Sequence, residues 1–119
     1  MASIQDSLNA LMTADGAVCA ALVDSTSGML MGSAGSGVDM ELAAAGNTEV
    51  VRAKLKTMRM LNLNDQIDDI LITLGKQYHI IRPVVANEGV FFYLVLDKSR
   101  GNLALARRKV ADVEKELKL

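Results

Sequence analysis

The chain has 119 residues, half of them apolar, with 13 basic and 14 acidic side chains and a formal net charge of -1. That length and apolar content suit one domain, residues 1–119, around one core, and they argue against disorder. The near-neutral balance gives no basic field for nucleic acid, and two Phe, two Tyr and no Trp leave little for bases to stack on.

A single cysteine, Cys19, excludes an internal disulfide and fits a cytoplasmic location. Apolar runs stop short of the roughly 18 residues a membrane span needs, so no membrane insertion is expected. The start, MASIQDSL, has no basic region followed by an apolar stretch, so no secretory signal is expected.

Ser3–Met12 places Ile4, Leu8, Leu11 and Met12 on one helical face, with Ser3 and Asp6 spaced as a capping box. AVCAALV (17–23) is a continuous apolar run, short enough for a strand buried on both faces. Asp24–Gly28 carries turn chemistry, and MLMGSA (29–34) reads as a weaker strand nearer a sheet edge. GSAGSG (32–37) matches neither phosphate-binding glycine pattern, and the helix beyond it opens with Asp39 and Glu41, which repel an anion. It is expected to be a loose, mobile connection.

A helix is predicted from Asp39 to about Leu61. IDDILITL (67–74), QYHIIRPVV (77–85) and VFFYLVL (90–96) read as three strands, the last apolar on both parities and therefore central, beside 17–23. Pro83 lacks a donor and belongs at a strand end or an unpaired position. A final helix stripes Leu103, Ala106, Val110, Val113 and Leu117. The predicted order is α-β-β-α-β-β-β-α, a mainly antiparallel sheet with helices on both faces.

The second helix has more than one apolar face. Met40, Ala43, Ala44, Val50, Val51, Leu55, Met58 and Leu61 form the stripe expected to dock on the sheet, with Asn47 and Lys54 as polar intrusions. A separate strip holds Leu42, Gly46, Ala53, Thr57 and Met60, small enough in places for a second helix to approach. Asp39, Glu41 and Glu49 occupy its first half and Arg52, Lys54, Lys56 and Arg59 its second. Two antiparallel copies would therefore set acid against base, and an isologous homodimer through this strip is expected. Arg52, Lys56 and Arg59 form a basic ridge that is either a solvated face or a dock for an acidic partner surface.

No catalytic constellation is found. His79 is the sole histidine and is read as a satisfied strand residue; Cys19 is read as a small hydrophobe; Asp68 and Asp69 are expected on opposite faces of a strand, unable to act as an acid–base pair. No metal or cofactor is expected.

Taken together, the element order, the LVDSTSG hairpin, the long second helix and the GNLALARRKV opening of the last helix resemble the Roadblock family, named for the Roadblock-type dynein light chains. The last of these stretches is similar to the family's Asn-Leu-x-Leu-x-Arg. The resemblance covers nearly the whole chain. It implies a five-stranded antiparallel sheet, the second helix on one face and the terminal helices on the other. It also implies homo- or heterodimers through the second helix and the edge strand after it, here Ile67–Leu74 with Ile70 and Ile72. Bacterial members often accompany small Ras-like GTPases and regulate them; an arginine finger on such a partner would fall to Arg52 or Arg59. Other members are adaptor subunits in motor or lysosomal signalling assemblies, and a structural adaptor with no effect on nucleotide hydrolysis is the second reading of this chain. A small-molecule sensor is a third reading, and it requires a cavity near Val51, Leu55 and Phe92.

Overall fold

The computed structural model describes residues 2–119. Its elements are α1 (Ile4–Leu11), β1 (Ala17–Asp24), β2 (Met29–Gly35), α2 (Met40–Met60), β3 (Ile70–Thr73), β4 (Gln77–Pro83), β5 (Val90–Asp97) and α3 (Leu103–Glu116). The strands form one antiparallel sheet in the order β2-β1-β5-β4-β3, so the doubly apolar β1 and β5 are paired inside it, as expected. Each helix begins on a side-chain cap: Ser3 accepts from the Asp6 amide, Asp39 from Leu42 and Asn102 from Leu105.

Alternation along the strands divides the core between the two sheet faces. One face joins Leu22, Ile80, Phe92 and Leu94 to Leu8 and Leu11 of α1 and to Ala106, Val110 and Val113 of α3. The other joins Cys19, Ala21, Val23, Ile81, Phe91, Tyr93 and Val95 to Ala44 and Val51 of α2. Among the described residues, no helix is long and apolar enough to cross a membrane.

Several sequence expectations need correction. GSAGSG is not a loose connection, because Gly32–Gly35 completes β2 and is paired to β1. A Cβ at Gly32 would lie 2.9 Å from Ile4 Cγ2 and 3.1 Å from Leu8 Cδ1, so this glycine lets α1 sit down on the sheet. β3 is four residues, not eight. Continuing its register with β4 past the Ile70–Ile81 pair sets Asp68 against Pro83, which has no N–H to give. Asp68 and Asp69 therefore precede the strand, and Asp69 is instead held by Arg107 of α3 through two bonds of 2.8 and 2.9 Å. β4 likewise ends at Pro83 rather than at Val85.

On α2, Leu55 and Leu61 do not dock: they are 37% and 61% exposed. Thr48 is buried in their stead, its hydroxyl donating to the Ala44 carbonyl at 2.8 Å. The cavity required of a sensor is not formed either. Val51 and Phe92 lie on opposite faces of the sheet, and Leu55 faces outward.

Candidate interaction surface

Because Ala44, Thr48, Val51 and Met58 turn α2 onto the sheet, residues half a helical turn away face solvent. Leu42 and Met60 are 70% and 72% exposed there, Ala53 and Thr57 are exposed beside them, and a Cβ at Gly46 would meet nothing within 4 Å. Thr57 turns its hydroxyl back to the Ala53 carbonyl at 3.0 Å. The strip seen in the sequence is thus left uncovered by its own chain.

Ile70 and Ile72 lie elsewhere, half-buried on the α2 side of the edge strand, where Ile72 is cross-strand from His79. The structure does not merge them with Leu42, Gly46 and Met60 into one patch. It joins Ile70 instead to a different flank of α2. Val50, Lys54 and Met58 form one wall of an open, mostly apolar groove of about 520 Å³, with Leu63, Ile67 and Ile70 on the other. Sequence spacing assigned Val50 and Met58 wholly to the core; their outer atoms line this groove.

The basic ridge is not uniform. Arg52 Nη2 donates to the Ser25 and Thr26 carbonyls at 2.7 and 3.0 Å, tying α2 to the β1–β2 turn, and Nη1 lies 3.6 Å from Glu49. Lys56 and Arg59 extend into solvent.

On the α2 side of the sheet a line of polar groups runs from β5 to β4. The Tyr93 hydroxyl is carried there on a buried side chain. That hydroxyl lies 2.8 Å from His79 Nδ1, and His79 Nε2 lies 2.9 Å from Gln77 Oε1. The rings of His79 and Tyr93 meet edge to face at 5.4 Å. Burial pushes the Tyr93 pKa up and holds that of His79 below its ordinary 6.5. His79 is satisfied by side chains, as the sequence suggested, but Tyr93 as its partner depends on register and could not be read from sequence.

This sets a pH dependence. The unfolded chain takes up a proton on His79 at higher pH than the folded chain does. The contribution of the neutral ring is therefore complete above the unfolded pKa and is lost as pH falls from 6.5 towards the lower folded value. The urea midpoint should drop between about pH 7.5 and about pH 5.5, and replacing His79 with Phe should shrink that drop.

No protein-family model matches the chain, and no curated protein matches it. Solved structures do. A Roadblock/LC7 domain from Streptomyces avermitilis aligns at a TM-score of 0.82 with 12% identity, covering 97% of this chain and 94% of that one. These layers and this strand order are the Roadblock/LC7 fold. More particularly, the chain is similar to MglB of Myxococcus xanthus (TM-score 0.83, 20% identity, 95% and 89% covered). It is also similar to the gliding protein MglB of Thermus thermophilus (TM-score 0.72, 15% identity, 95% and 89% covered).

Proposed function

We propose that residues 1–119 act as one Roadblock-like domain in the cytoplasm. It pairs with a second copy and regulates or scaffolds a small Ras-like GTPase, with no catalysis or cofactor of its own. The observation that carries this reading is the uncovered flank of α2 beside an unpaired edge strand. Apolar side chains surround a groove there that their own chain leaves open. The likeness to MglB supports it at the level of fold.

We propose two separate contacts with a second copy: Ile70 and Ile72 across the β3 edge, beside the Val50, Lys54 and Met58 flank, and Leu42, Gly46, Ala53, Thr57 and Met60 along an antiparallel α2–α2 seam on the face turned away from the sheet. Asp39 and Glu41 then approach Lys54, Lys56 and Arg59 of the second copy. Arg52 and Glu49 contribute less, being already matched within the chain. Of the two arginine-finger candidates, Arg52 is committed to the β1–β2 turn, so Arg59 is the better placed to reach a GTPase.

Sedimentation tests the pairing. The native chain should run as a dimer and Ile72→Asp as a folded monomer, because an unpaired buried charge costs about 3–5 kcal/mol. Ala53→Glu tests the seam, and an unchanged dimer mass removes it from the interface. GTP turnover by a small Ras-like GTPase, with and without the protein, then separates a regulator from an adaptor that leaves hydrolysis unchanged. Failure to form any nucleotide-dependent complex overturns the regulator reading for that pair.

A further inference from the structure

The opposite sheet face carries a feature that the pairing surface does not use. α1 and α3 lie side by side there, and between them runs an open groove of about 310 Å³. Ala2, Ala10 and Val113 line it with apolar surface, and Asp6 and Asp112 stand along it from the two helices. Neither carboxylate makes an ion pair among the described residues. Glu116, also lining the groove, is already engaged. Among the described residues that line the groove, Lys109 supplies the one positive charge, against three carboxylates.

Ser7 is the independent observation. It lines the same groove and is 1% exposed, yet its Oγ has no hydrogen-bond partner. Among the described residues it is the one buried side-chain oxygen or nitrogen left unmatched. A hydroxyl in that state costs free energy until something donates to it or accepts from it.

We propose that this groove receives a cationic side chain, arginine or lysine, presented by a partner protein. The aliphatic stem would lie on Ala10 and Val113 and the charged head between Asp6 and Asp112; the Ser7 hydroxyl, closed to solvent in the groove, would turn to accept one of its N–H groups. Stem and head match the two kinds of surface present. The groove is small and open to solvent, so a free amine would bury little of itself. A side chain held by a wider protein contact loses less on docking, which is why a protein is assigned as the source.

The test uses the full chain labelled with ¹⁵N and the blocked peptide acetyl-Gly-Arg-Gly-amide. Its citrulline analogue, isosteric and uncharged, and the free amine agmatine are the comparison arms. The arginine peptide should give saturable amide shifts at Ser7, Ala10, Asp112 and Val113. The citrulline peptide should bind at least about five-fold more weakly, for loss of the charge. Ser7→Ala should weaken the arginine peptide about three- to ten-fold, and Asp112→Asn about two- to five-fold, with the thermal midpoint of each variant checked first. Ser7→Ala is small enough to keep the helix packing, so it reads binding even if Asp112→Asn does not fold. Shifts that fail to saturate, or that the citrulline peptide reproduces, overturn the site. Agmatine binding as tightly as the peptide overturns the protein source. The groove lies across the sheet from α2, so these outcomes are separable from the dimer mass.

Discussion

Replacing Gly35 with alanine should destabilise the protein by roughly 2–5 kcal/mol, combining about 1–2 for a left-handed backbone with about 1–3 for overpacking. Gly35 has φ +81°, and it pairs with Cys19 at the sheet's outer seam. An added Cβ would press on the Val18 carbonyl oxygen, lie 2.7 Å from Cys19 Cα and 2.9 Å from Met12 Cε. Two of these are backbone atoms of β1, which cannot move without disturbing a strand buried on both faces. The thermal midpoint should fall by roughly 10 °C or more. Gly75→Ala is the matched control. It lies between β3 and β4 with nothing near its missing Cβ and no positive φ, and should be neutral or stabilising by up to about 1 kcal/mol. Equal effects at the two positions would refute this account of β2.

That contrast shows where sequence reading succeeded and where it stopped. Element order and the central place of β1 and β5 were legible because periodicity and doubly apolar runs are local properties. The glycines of GSAGSG announced conformational freedom, but the need for Gly35 comes from β1 and α1, and no local pattern contains those neighbours. β3 was overestimated for the same reason: what shortens it is Pro83 on the strand across from it. Leu61 was assigned to the core because helical spacing fixes an azimuth but not how far the sheet extends. A 21-residue helix runs about 31 Å and an eight-residue strand about 26 Å, so the last turn overhangs. At the candidate interface, the small-residue strip was visible as spacing. The groove between α2 and β3 was not, because it joins Val50 and Lys54 to Ile70 through a loop whose path sequence does not specify.

The largest single loss is expected from a pair that nothing in the sequence linked. Arg82 at the end of β4 and Glu114 in α3 stand 32 positions apart, with Nε and Oε1 at 3.3 Å and side chains only 18% and 5% exposed. The second carboxylate oxygen accepts from the Val85 amide at 3.4 Å, just beyond the proline that ends the strand. Arg82→Ala should cost about 3–5 kcal/mol, because it leaves a carboxylate buried with one long hydrogen bond. Glu114→Gln should cost less. The amide oxygen can still accept from Val85, and the less buried guanidinium has a route to water. Arg82→Met combined with Glu114→Leu should recover most of the loss, since desolvating two charges offsets much of what their attraction contributes. Urea unfolding of the native chain and the three variants gives the full comparison. A double variant no more stable than Arg82→Ala would mean that the ion pair itself, and not the stranded charge, holds α3 to the end of β4.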